Sequence, residues 1–154
     1  MQESLTLANH FFGIDLPSAG QKCFEAGACP GGWTWVLAGL GANVHAVDRA
    51  PLAQELMENP LIKFQAHDAF TLKPEDIGPV DWVFSDVICY PERLLTWIHT
   101  WLESGMTQKM ICTIKMQGQI DWPLIAQFAQ IPNSKIVHLN YNKHELTIII
   151  DNRH

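Results

Sequence analysis

The sequence predicts one α/β domain, a mostly parallel seven-stranded sheet with helices on both faces and an antiparallel hairpin at its C-terminal edge. Two observations carry that expectation. Short apolar runs alternate with helix-period segments from residue 22 to the end of the chain, the pattern of parallel strands buried between helices. The last two runs break the pattern. Residues 134–139 and 145–151 are separated only by the polar stretch 140–144, too short for a parallel crossover, so that pair is antiparallel.

The first strand, 22–26, is an apolar run closed by Gly27, and the helix after it, 31–40, opens on two glycines. Strand two covers 43–47 and ends on Asp48. Pro51 then stands where a first-turn proline belongs, opening a helix to Glu58. Strand three, 61–66, is followed by Asp68, and strand four, 80–85, by Asp86. Pro91 starts a longer helix to Glu103, in which Leu94, Leu95, Ile98, Trp101 and Leu102 recur at helical spacing. Strand five spans 109–115, a helix spans 122–130, and the hairpin closes the chain. Trp82, Trp97, Trp101 and Trp122 suit core positions, whereas Trp33 belongs to the glycine-rich turn.

Bulk composition narrows the function. A chain of 154 residues without repeats or low-complexity stretches is the size of one domain. Its start, Met-Gln-Glu-Ser, has no basic and apolar leader, and no window approaches the ~18 apolar residues of a membrane span. A soluble cytoplasmic protein with no membrane association is the expectation. Cys23, Cys29, Cys89 and Cys112 form no CxxC pair and the histidines show no ligand spacing, so reduced thiols and no metal site are expected. The net charge of −6 opposes an unaided grip on nucleic acid, because phosphate contacts need Lys and Arg.

The strongest chemical feature is Glu25-Ala26-Gly27-Ala28-Cys29-Pro30-Gly31-Gly32-Trp33-Thr34, between the first strand and the first helix. Glycines there let the backbone turn tightly and approach a ligand, and a helix N-terminus offers free N–H groups. A nucleotide-type ligand is expected at that point of a parallel sheet. The spacing is not G-x-G-x-x-G, which argues against an NAD-linked oxidoreductase. Asp48 ends strand two, where a carboxylate can accept both hydroxyls of a ribose. Asp68 and Asp86 end the next two strands and share that edge of the sheet.

These segments resemble the FtsJ-like ribose 2′-O-methyltransferases. The run Gly27 to Trp35 resembles their S-adenosylmethionine loop, Val44 to Leu52 their second motif, and Trp82 to Arg93 their fourth. The likeness extends from Gln21 to Ile150, and within the family it is greatest to the bacterial enzymes that methylate a cytidine ribose of large-subunit ribosomal RNA. The resemblance implies a Rossmann-like class I methyltransferase fold. It also implies S-adenosylmethionine as cofactor, held by Gly27, Cys29, Pro30, Gly31, Gly32, Trp33, Asp48, Asp68 and Asp86. The family's active site is a Lys-Asp-Lys-Glu tetrad. Asp86 matches its aspartate, Lys115 its second lysine and Glu145 its glutamate, while Thr6, in Leu5-Thr6-Leu7, stands where the first lysine is expected on a helix before strand one.

By resemblance, Lys115 is the base that takes the ribose hydroxyl proton, oriented by Asp86 and Glu145. Lys143 and His144 are candidate phosphate contacts. The family usually carries more chain ahead of this domain, including an RNA-binding module in the cytidine enzymes; by resemblance RNA, ribosomal RNA first, is the expected partner, with a partner protein helping to hold it. Two other functions fit the residues. The acidic charge favours a methyltransferase acting on a small molecule or a protein, and Thr6 favours a non-catalytic S-adenosylmethionine-binding module.

Overall fold

The computed structural model describes residues 1–116, 118–138 and 145–153. In chain order the elements are α1 (Gln2–Phe12), β1 (Lys22–Ala26), α2 (Gly32–Gly39), β2 (Asn43–Asp48), α3 (Gln54–Met57) and β3 (Ile62–Ala66). A 3-10 turn (Ala69–Thr71), α4 (Pro74–Ile77), β4 (Trp82–Ser85), α5 (Pro91–Ser104) and β5 (Lys109–Lys115) follow. The chain ends with α6 (Trp122–Ala129), β6 (Ser134–Val137) and β7 (Glu145–Asp151).

The strands make one sheet in the order β3-β2-β1-β4-β5-β7-β6. β1 to β5 are parallel, and β7 runs antiparallel to both of its neighbours, β5 and β6. The expected hairpin therefore forms, with its second strand inserted between β5 and β6 rather than left at the edge. Strand order reverses at β1: the chain first moves outward to β2 and β3, then returns to the other side of β1 as β4. Connections diverge at such a switch point and leave a crevice at the carboxyl ends of the strands.

Side-chain alternation along the strands divides the core into two layers. Phe24, Val83, Met110, Cys112, Ile148 and Ile150 face α5 and α6. Cys23, Val44, Trp82, Phe84, Ile111 and Ile149 face the opposite side, packed with Leu5 and Ala8 of α1, Leu37 of α2 and Leu56 of α3. In α5 the buried residues Leu94, Trp97, Ile98 and Trp101 fall on one stripe, and Trp101 stacks on Phe24 with ring centroids 5.4 Å apart. Each such buried side chain contributes about 1.5–3 kcal/mol, which locks α5, and the loop preceding it, onto the sheet.

The structure corrects several local expectations. The helix after Asp48 is a single turn with Ala53 as its N-cap, and Pro51 lies ahead of it. Asp48 Oδ1 accepts the N–H groups of Arg49 and Ala50, and the Ala53 N–H donates to the Pro30 carbonyl, so this stretch is spent bracing the glycine turn. Trp122 is 65% exposed, since the buried stripe of α6 is Leu124, Ile125 and Phe128. Strand four begins at Trp82 rather than at residue 80. α4 and the 3-10 turn fall between expected strands, although Pro74 followed by Glu75 and Asp76 is a readable helix start. Leu139 and the turn 140–144, with Lys143 and His144, lie outside the described residues. No described helix is long and apolar enough to cross a membrane.

Candidate active site

A cavity of about 420 Å³ opens at the carboxyl ends of the parallel strands, within the range of small-molecule sites. Each wall comes from one strand end: Gly27 and Cys29 after β1, Asp48 and Arg49 at β2, His67 and Asp68 after β3, Asp86 to Ile88 after β4, and Lys115 at β5. Arg93 joins them from the first turn of α5. A smaller cavity of about 190 Å³ shares Gly27, Cys29 and Asp86 and is walled by Glu25, Pro30, Gly32 and Trp33.

The glycine turn is held by backbone groups. Gly27 and Ala28 donate to the Val47 carbonyl at 2.9 and 3.3 Å, and Cys29 N–H donates to Asp48 Oδ2 at 2.8 Å. Gly27 has φ of 75°, and a Cβ there would lie 2.7 Å from Val87 Cγ2 and 3.2 Å from its Cα. Gly31, at φ of 120°, would drive a Cβ into the Leu56 side chain. Both positions require glycine, because the turn runs with positive φ and packs flush against its neighbours.

Asp48 thus orients the turn while facing the cavity. Its two oxygens accept three backbone N–H groups, from Cys29, Arg49 and Ala50, which fixes the carboxylate without a rotamer search. Asp68 behaves differently. It caps the 3-10 turn through the Phe70 N–H at 3.1 Å and accepts from Arg49 at 2.9 Å and Arg93 at 3.4 Å. What burial it has raises its pKa, but the Phe70 bond and the two guanidiniums outweigh that and hold it below the ordinary value. Its carboxylate is committed to those arginines.

Glu25 is 1% exposed and accepts a 2.5 Å hydrogen bond from Thr34 Oγ1. Burial pushes its carboxyl up to about 8; the Thr34 bond opposes this, and the charges of Asp86 and Asp48 add to it. At neutral pH the group is mainly a protonated, uncharged acid.

The β5–β7 ladder builds the other end of the site. Antiparallel register sets Lys115, the last residue of β5, opposite Glu145, the first of β7. Lys115 Nζ lies 3.1 Å from Asp86 Oδ1 and 3.7 Å from Glu145 Oε1, and donates to the Asp86 carbonyl at 3.0 Å. The amine is thus fixed by a hydrogen bond to the Asp86 carbonyl and by ion pairs with the Asp86 and Glu145 carboxylates.

Of the residues singled out from the sequence, Gly27, Cys29, Asp48, Asp68, Asp86 and Lys115 line the main cavity, and Glu145 reaches Lys115 from β7. Pro30, Gly32 and Trp33 border the smaller one, where the Trp33 ring also meets Phe84 edge-on. Gly31 serves the turn as the N-cap of α2. Thr6 lies on α1, exposed, with its hydroxyl donating to the Gln2 carbonyl. Arg49, His67, Val87, Ile88 and Arg93 were not anticipated. Arg49 could have been read from its place next to Asp48, but nothing local to Arg93 shows that α5 delivers it here.

A seven-stranded sheet in this order, with an inverted seventh strand and a glycine turn braced by the β2 carboxylate, defines the Rossmann-like methyltransferase class. The 1,6-didemethyltoxoflavin-N1-methyltransferase of Burkholderia thailandensis, solved with S-adenosylhomocysteine, has this fold. It superposes with a TM-score of 0.64 over 98% of this chain and 77% of that one, at 14% identity. The profile of the FtsJ-like methyltransferases matches residues 5–119, and the chain belongs to that family, whose members are S-adenosylmethionine-dependent. It is 37% identical over 97 residues to ribosomal RNA large subunit methyltransferase M of Azotobacter vinelandii, covering 63% of this chain and 27% of that protein. The methyltransferase M of Thauera aminoaromatica is 28% identical over 142 residues, covering 86% of this chain and 38% of that protein. The chain thus spans well under half the length of these relatives.

Proposed function

We propose that this chain is the catalytic domain of an S-adenosylmethionine-dependent enzyme that methylates a ribose 2′-hydroxyl of RNA, with ribosomal RNA as the substrate. The observation that carries the reading is the Asp86–Lys115–Glu145 cluster at the rim of a nucleoside-sized cavity. The residues present suit the cofactor. Asp48 is preset to accept ribose hydroxyls, and a Cβ at Gly27 would push Val87 out of its place in the cavity wall. The Asp86 carboxyl borders the smaller cavity beside the uncharged Glu25, and a cationic ligand would be favoured on the Asp86 side. Gly27, Cys29, Gly32 and Asp48 would hold it, with Pro30, Gly31 and Trp33 shaping the turn and Asp68 bracing the far wall through its arginines.

Bound S-adenosylmethionine supplies an electrophilic methyl group on a positively charged sulfur. A ribose hydroxyl is a poor nucleophile until its proton is removed. Lys115 Nζ is the group placed to take that proton, with Asp86 and Glu145 holding Nζ at the rim of the cavity. Ten Lys and Arg against 16 Asp and Glu leave little for the phosphate backbone, so a partner protein supplies part of the RNA grip.

The test is transfer of labelled methyl from S-adenosylmethionine to unmodified ribosomal RNA, comparing the native chain with Lys115→Ala. Label recovered as 2′-O-methylribose and reduced at least a hundredfold in the variant, the scale of a lost general base, supports the reading. Cofactor binding with no transfer to RNA, either by the chain alone or with cell extract added as a source of partner protein, overturns it.

A further inference from the structure

The loop between β4 and α5 is anchored at every second residue. Val87 and Cys89 pack against the core layer beneath α5, whereas Ile88 and Tyr90 are 78% and 68% exposed. Both ends are fastened. The Asp86 N–H donates to the Ala26 carbonyl at 3.2 Å, and the Tyr90 carbonyl accepts from Arg93 and Leu94 as α5 begins. Two bulky apolar side chains are therefore held in solvent by a backbone that cannot withdraw them. Ile88 belongs to the same cavity wall as Asp86 and Lys115. Scattered exposed apolar residues need no explanation, but these two stand within four residues of a carboxylate that positions the proposed base.

We propose that Ile88 and Tyr90 form the platform on which the base of the acceptor nucleotide stacks, and that the acceptor is an unpaired strand rather than a duplex. This rests on the RNA-acceptor reading above. A base presents an apolar face only when it is splayed out of a helix, and stacking on such faces is the part of single-strand binding that does not depend on phosphate contacts. A chain carrying net charge −6 has to recruit affinity from such faces. Stacking on a platform beside Asp86 also brings the ribose attached to that base to the Lys115 end of the cavity.

The experiment measures binding of a short labelled RNA oligonucleotide, single-stranded and as a duplex, with S-adenosylhomocysteine present; a calorimetric titration of S-adenosylhomocysteine alone runs beside it. Tyr90→Ala and Ile88→Ala should each weaken the single strand about tenfold, the worth of one stacked base. Tyr90→Phe should stay within about twofold of the native chain, as should Trp122→Ala, a similarly exposed aromatic on α6. S-adenosylhomocysteine affinity should be unchanged in both Tyr90 variants and in Trp122→Ala, and the native chain should bind the duplex less tightly. Native-like single-strand binding by Tyr90→Ala and Ile88→Ala, or equal affinity for the duplex, overturns the platform and leaves the RNA reading standing. Intact S-adenosylhomocysteine binding with no RNA binding by the native chain overturns both.

Discussion

Replacing Glu25 by glutamine should abolish a pH dependence of stability that the native chain carries. In the unfolded chain this carboxyl titrates near the ordinary 4.5, and in the fold near 8. Between those values the native state keeps a proton that the unfolded state has released. Stability therefore falls with rising pH by about 1.4 kcal/mol per unit through that window and levels off above pH 8. Worked from the two values, the loss is about 2 kcal/mol at pH 6 and about 4 kcal/mol at pH 8. Glutamine offers the same acceptor to Thr34 Oγ1 and does not titrate. Urea unfolding of both proteins at pH 6, 7 and 8 is the assay, and the readout is the change in their difference, because a fixed cost of the second amide hydrogen cancels. The variant should gain about 2 kcal/mol on the native chain between pH 6 and pH 8. A difference that stays constant across that range would refute the assignment of Glu25 as a buried neutral acid.

Two other substitutions test the glycine turn and its brace. Gly27→Ala places a Cβ against Val87 at positive φ, and should cost about 2 kcal/mol or more in thermal unfolding and weaken S-adenosylhomocysteine binding. Gly32→Ala meets nothing within 4 Å and has no positive φ, so it should unfold within about 1 kcal/mol of the native chain. Asp48→Asn keeps one acceptor oxygen where two are used, and should lose about 1–3 kcal/mol of stability for the stranded N–H. The same variant should bind S-adenosylhomocysteine several-fold more weakly by calorimetry; native-like affinity would remove Asp48 from the cofactor site.

What the sequence by itself determined was what local chemistry dictates. Apolar runs of strand length, a glycine-rich turn after the first of them and carboxylates closing the next three placed β1 to β4 and the edge of the sheet that carries the site. These features follow from backbone period and from the few residues tolerated at a tight turn, both legible over a handful of positions. Pro51 misled, because its first-turn preference is weaker than the hydrogen bonds of Asp48 and Pro30 that hold that stretch extended. Trp122 misled because helix amphipathicity depends on which face meets the sheet, and the buried face of α6 is that of Leu124, Ile125 and Phe128. Only the tertiary structure decided which distant groups meet. Insertion of β7 beside β5 put Glu145 across from Lys115, docking of α5 brought Arg93 to Asp68, and enclosure of Glu25 kept a carboxyl uncharged. Such meetings depend on strand order and register between segments tens of residues apart, which the packing of the whole core selects and no short stretch of chain encodes.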